Sequence, residues 1–162
     1  MSRTRLAVSG LALSAAAFVG ILAREGYTSN AIIPTKGDVP TVGFGTTGGV
    51  RMGDATTPVK AAQRALVDAQ QFEGTLKQCV EVPLYQAEYD LYVDLSYNIG
   101  PKAFCSSTIV RRLNAGSDRA ACDGIRLFKY AAGFDCSTPG NKRCAGLWAD
   151  RLTKHAQCVE AQ

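Results

Sequence analysis

At 162 residues, 46% of them apolar, the chain is long enough for one domain around a single hydrophobic core and too short for two. Its formal charge of +4, from 18 basic against 14 acidic residues, suits a partner that carries negative charge, such as a cell wall or an anionic membrane surface. The basic residues are scattered rather than gathered into a stripe with interleaved aromatics, so nucleic acid is not the expected partner. The single histidine, His155, and six cysteines without C-x-x-C spacing do not make up the usual zinc ligand sets, and neither a metal nor a cofactor is expected.

In chain order, Arg3 and Arg5 precede Leu6 to Ala23, a run without any charge. A positive n-region followed by an apolar run marks residues 1–23 as an export segment. The run reaches the short end of the length that spans a bilayer, but its alanines, Ser9, Ser14, Gly10 and Gly20 hold a helix in lipid only weakly. Cleavage after Ala17, at Ala15-Ala16-Ala17, is the alternative fate. Residues 24–162 form the folded domain. From Gly26 to Gly53 the chain is rich in glycine and turns, with Pro34 and Pro40, and reads as short strands and hairpins.

Thr57 before Pro58 is a helix start, an N-cap followed by proline at the first helical position. Ala62, Ala65, Leu66 and Ala69 continue at helical spacing, and the helix is expected to run to about Cys79. Pro83 opens a second helical segment with Leu84, Ala87, Leu91, Leu95 and Ile99 on one face, stopped by Gly100-Pro101. Ser106 and Ser107 cap a short helix closed by Gly116, and Asp118 starts one carrying Ala121, Cys122, Ile125 and Phe128. After a loop from Gly133 to Asn141, the last helix aligns Leu147, Trp148, Leu152, Ala156 and Val159. The architecture expected is α+β, a small β-rich lobe followed by a larger helical one.

Cys79, Cys105, Cys122, Cys136, Cys144 and Cys158 form an even set confined to the second half, which reads as a disulfide framework in an oxidising compartment. Six cysteines permit fifteen pairings. Only Cys136 with Cys144 is singled out, because both lie in a Gly/Pro/Ser-rich loop that closes over a short excursion.

Glu25 stands directly behind the apolar run. Breaking a glycosidic bond needs a carboxylic acid still protonated when it meets the leaving oxygen, and an apolar environment provides one by raising the pKa. Glu25-Gly26-Tyr27, followed after Asp38-Val39-Pro40 by Thr41-Val42-Gly43-Phe44-Gly45-Thr46-Thr47, resembles the active-site region of the phage lysozymes of glycoside hydrolase family 24. Leu95-Ser96-Tyr97-Asn98-Ile99-Gly100 with Phe104, Ser107 and Thr108, then Arg111-Arg112-Leu113-Asn114-Ala115-Gly116, look like the middle helices of that family. Gly146-Leu147 with Arg151 resembles its C-terminal signature.

The resemblance implies a lysozyme-like fold with a cleft between hairpin and helical lobes. It also implies a muramidase that hydrolyses the β-1,4 bond between N-acetylmuramic acid and N-acetylglucosamine. Glu25 matches the general acid and Thr41 the hydroxyl that holds the attacking water. The family's second carboxylate lies six residues before the threonine, where this chain has Thr35; Asp38 is the carboxylate available between Glu25 and Thr41. Tyr97 and Asn98 match cleft positions and are expected to contact substrate. Arg151 is either a partner of a cleft acid or an ordinary surface arginine, Trp148 is expected in the core, and His155 at the surface.

The N-terminal segment is similar to that of signal-anchor-release endolysins, which are exported tethered to the inner membrane and freed later into the periplasm. By that resemblance the partners are peptidoglycan strands and, before release, the inner membrane, and the enzyme is a monomer that lyses the host for phage release. Two other classes fit the composition: a wall-binding protein that kept the fold without the chemistry, and a basic amphipathic protein that disturbs bilayers directly.

Overall fold

The computed structural model describes residues 4–35 and 37–162. Arg3, the first basic residue of the expected n-region, lies outside them. The helical lobe is built from α1 (Ala15–Glu25), α2 (Pro58–Cys79), α3 (Gln86–Ile99), α4 (Pro101–Cys105), α5 (Thr108–Asn114), α6 (Asp118–Ile125) and α7 (Ala145–Ala161). Between α1 and α2 sits the hairpin lobe, with β1 (Thr28–Ile32) antiparallel to β2 (Thr41–Gly43). The two lobes give the α+β, lysozyme-like arrangement expected.

The capping residues act where the sequence placed them. Thr57 Oγ1 accepts from Lys60 N at 3.4 Å and Pro58 opens α2, while Ser107 Oγ accepts from Val110 N ahead of α5. The second helical segment begins at Gln86 rather than Pro83, because Glu88 Oε2 reaches back to Tyr85 N at 2.8 Å and sets the first turn there. Gly100, at φ 87°, ends α3 and lets Pro101 start α4 in a new direction. α3 is the central strut: Tyr89, Leu91, Tyr92, Val93 and Leu95 are buried around much of its circumference. They join Leu76, Phe104, Ile109, Leu113 and Ile125 in the main core. The hairpin lobe has only Ala31, Val42 and Val50 for its own cluster.

Three disulfides staple the helical lobe: Cys79–Cys105 joins the end of α2 to α4, Cys122–Cys158 joins α6 to α7, and Cys136–Cys144 closes the loop before α7. That loop holds a two-residue hairpin, β3 (Tyr130–Ala131) with β4 (Phe134–Asp135), which sequence reasoning did not anticipate.

The apolar run does not form one rod. Val8–Gly10 make a 3₁₀ turn, the chain then runs without helix to Ser14, and α1 begins at Ala15. Among the described residues no helix is long and apolar enough to cross a membrane. Leu6 pairs with Leu84 through two backbone hydrogen bonds of 2.8 and 2.9 Å, and Val8 and Leu11 enter the main core. The backbone groups that this irregular stretch would leave bare find side chains. Leu13 N donates to Glu73 Oε1 at 2.7 Å, Ser14 N to Asp90 Oδ1 at 2.9 Å, and Gln86 Nε2 donates to Ala12 O at 2.8 Å.

α7 presents a different face from the one its apolar residues mark. Its buried residues are Arg151, Lys154, Cys158 and Ala161, while Leu152 is exposed and Trp148 is only partly covered. Arg151 is therefore no surface arginine: at 2% exposure it donates from Nε to Phe128 O at 3.0 Å. Buried cations are permitted here because both have anionic partners. The same offset occurs on α2, where Ala61, Ala65, Ala69 and Leu76 are buried and Leu66 faces solvent.

Candidate active site

A cleft of about 630 Å³ separates the lobes, and Glu25, Asp38, Thr41, Tyr97 and Asn98 all line it. Each reaches it by a different route. Glu25 is the last residue of α1, and Gly26, at φ 71° and ψ 170°, turns the chain away into β1. Thr41 is the first residue of β2, and its hydroxyl donates to Val39 O at 3.1 Å. That bond uses the only hydroxyl proton and leaves the oxygen lone pairs as acceptors.

Asp38 closes a turn on Thr35: its amide donates to Thr35 O at 3.0 Å, and the Thr35 hydroxyl donates to its carboxylate. The residue that replaces the family's acid thus holds the neighbouring acid. Tyr97 donates its hydroxyl to Phe44 O at 3.0 Å and sets its ring edge to face against Phe72, with centroids 5.2 Å apart. It pins the turn of the hairpin lobe to α3 as well as lining the cleft. Asn98 accepts from buried Arg151 through Oδ1.

Gly45 explains why the hairpin carries glycine at its tip. Its φ of 83° lies in the left-handed region, and a Cβ there would stand 3.0 Å from Glu25 Oε2. The loop backbone packs directly on the acid. Burial raises the Glu25 carboxyl above its ordinary value; Arg24 opposes the rise, Asp94 adds to it, and Lys154 and Asp150 follow with smaller lowering and raising effects. A carboxyl in this setting holds its proton longer than one in water.

Four cleft residues escaped sequence reasoning: Asp68, Gln71 and Phe72 on α2, and Thr47 in the hairpin lobe. Asp68 Oδ2 accepts from the buried Thr46 hydroxyl at 2.7 Å, tying the hairpin to α2. Its partner is 22 residues away, so no local pattern announces it. His155 lies outside the cleft, with Nε2 3.0 Å from Asp123 Oδ1 on α6. Among the described residues no cluster of potential ligands could hold a metal ion.

Comparison with known proteins agrees with this geometry. The sequence model of the phage lysozyme family matches residues 23–160. A protein of Pseudomonas phage phiKMV named SAR-endolysin is 37% identical over 147 residues, covering 90% of this chain and 88% of that protein. A crystal structure of a lysozyme mutant of phage P22 superimposes with a TM-score of 0.73 at 30% identity, covering 92% of this chain and 99% of the other. The muramidase domain of SpmX from Asticcacaulis, spelled Asticaccaulis excentricus in its record, shares the fold with a TM-score of 0.77 at 23% identity, over 92% and 98% of the two chains. The chain belongs to the phage lysozyme family and is a glycoside hydrolase that degrades peptidoglycan.

Proposed function

We propose that this lysozyme cuts the β-1,4 bond between N-acetylmuramic acid and N-acetylglucosamine with Glu25 as general acid, Asp38 as second carboxylate and Thr41 as the group that directs water. One observation carries the reading: a carboxyl whose burial favours the protonated form lines the same cleft as a second carboxylate and a hydroxyl with free lone pairs. The carbonyl end of α1 adds a negative potential at Glu25 and works in the same direction.

Glu25 donates its proton to the glycosidic oxygen as that bond breaks, and positive charge develops at the sugar's anomeric carbon. The Asp38 carboxylate stabilises that charge and takes a proton from the incoming water. Thr41 Oγ1, whose own proton is given to Val39 O, accepts the water's other hydrogen and aims its oxygen. The Thr35 hydroxyl steadies Asp38 from the position where the family has its acid.

We also read residues 1–23 as an uncleaved signal anchor that tethers the exported enzyme to the inner membrane until its release into the periplasm. The charge-free run from Leu6 to Ala23 and the name of the phiKMV relative support this. So does the cost of the alternative. Cleavage after Ala17 would remove Val8 and Leu11 from the core and would take Arg5 from Glu88, which is fully buried.

The test is lysis of chloroform-treated Gram-negative cells followed by turbidity. Glu25→Gln is expected to abolish clearing, and Asp38→Asn to slow it by about 10²–10⁴-fold. Undiminished lysis by Glu25→Gln would overturn the catalytic assignment; a wild-type rate for Asp38→Asn would remove Asp38 from it. Fractionation of induced cells should find full-length protein first with membranes and later in the periplasm, and recovery of a shortened product alone would overturn the tether.

A further inference from the structure

Behind the cleft, under the helix end that carries Glu25, five charged side chains from three helices meet. Arg24 of α1 bonds to Asp94 of α3 and lies 4.0 Å from Asp150 of α7. Lys154 sits 3.2 Å from Asp94 and also bonds to Asp150. Arg151 bonds to the other oxygen of Asp150 and to Asn98 in the cleft wall. Arg151 and Lys154 are each 2% exposed, so the cluster is built into the fold rather than spread over its surface.

α1 has little else to orient it. Ile21 is its one fully buried side chain, and a single apolar contact leaves a helix free to roll about its axis. At its start it is held by Asp90 on Ser14 N; at its end the hold is Arg24. Adjacent residues on a helix point about 100° apart. Fixing Arg24 toward α3 and α7 therefore fixes the direction in which Glu25 leaves the helix, toward Gly45 and the cleft.

We propose that Asp94, Asp150 and Lys154 act through Arg24 as positioning residues for the general acid, setting the roll of α1 that delivers Glu25 to the scissile bond. The inference rests on Glu25 being that acid. Lys154 has a defined part in it. Without its charge, Asp94 and Asp150 would repel each other across the α3–α7 seam, and Arg24 alone would have to hold both.

The charged groups that face Glu25 are Arg24 on its own helix, Asp94 on α3, and Asp150 and Lys154 on α7. Tyr97 of α3, Arg151 of α7 and the cleft residues Asp38 and Asp68 complete the titratable surroundings. Two substitutions break the same ion pair and so impose the same structural loss, yet remove opposite charges. Arg24→Gln deletes a cation and makes Glu25 harder to ionise; Asp94→Asn deletes an anion and makes it easier.

The experiment measures kcat, KM and the pH profile of purified full-length variants on isolated peptidoglycan. Both variants should lose about 10–100-fold in kcat with KM changed less than about twofold, as expected for a misplaced reacting group. The basic limb of the profile should move to higher pH in Arg24→Gln and to lower pH in Asp94→Asn. Arg24→Lys should recover most of kcat. Should Asp94→Asn fail to fold because Lys154 is left unpaired, Asp94→Asn with Lys154→Met removes both charges and is read in the same way for kcat and KM. Variants with a lower melting temperature but wild-type kcat, or limbs that move in the same direction, would overturn the proposal. An active Glu25→Gln enzyme would instead overturn the assignment of the acid, so the two failures are distinguishable.

Discussion

The two walls of the cleft are held by unlike means. The helical wall has the main core, a central helix buried around much of its circumference, and all three disulfides. The hairpin wall has three small buried apolar residues and no cross-link among its described residues. Its shape comes from hydrogen bonds and from glycines at positive φ, among them Gly43 and Gly45. Glu25 stands at the seam, anchored in the stiff wall and touched by the soft one. Stability should therefore be set by one lobe, while the other sets the geometry of the chemistry.

The largest expected effect breaks the stiff side. Cys122–Cys158 closes a separation of 36 residues, for which loop-closure entropy gives about 4 kcal/mol. Replacing both cysteines with serine should lower the melting temperature by roughly 8–16 °C. Peptidoglycan hydrolysis well below that temperature should hardly change; a large loss of activity there would show that the lobes are not independent in this way.

A smaller stability effect with a larger effect on activity is expected from Gly45→Ala. The left-handed backbone costs about 1–2 kcal/mol for a residue with a Cβ, and the new methyl meets Glu25 Oε2. Activity should fall at least about tenfold while the melting temperature drops by only a few degrees. Wild-type turnover in this variant would mean that the hairpin does not place the acid.

The smallest effect has the opposite sign. The folded state raises the Glu25 pKa, so ionisation opposes folding. Below the unfolded value of about 4.3 the group is protonated in both states and costs nothing. The cost grows as pH rises through the folded value and is complete above it. Glu25→Gln should therefore melt slightly higher than wild type at pH 7, with the two curves converging below about pH 4. Equal melting temperatures across that range would mean that the acid is not under strain.

Much of this division could be read from the chain before any coordinates. Thr57-Pro58, Ser107 and Gly100-Pro101 marked helix limits because capping and proline geometry are local. Glu25, Asp38, Thr41, Tyr97 and Asn98 were placed in one cleft by motif resemblance, and the structure brings all five to it. What could not be read is non-local. Counting apolar residues put Leu152 on the inner face of α7 and left Arg151 unassigned, whereas two cations occupy that face because Asp94, Asp150 and Asn98 wait for them. Asp68 looked like an ordinary charge on a solvated helix until Thr46 arrived beside it. The run from Leu6 to Ala23 looks the same to lipid as to a protein core, so composition alone could not tell that Val8 and Leu11 pack against α3 and its neighbours.

The docking of the first residues also has a cost in time. Arg5 must wait for Glu88, 83 positions later, before its partner exists. At about 5–20 residues per second, a ribosome takes roughly 4–17 s to make the intervening chain. Throughout that interval the greasy beginning of the polypeptide has nothing of its own to hide against. Synthesis itself thus gives whatever binds such a stretch first a head start of several seconds over the finished enzyme.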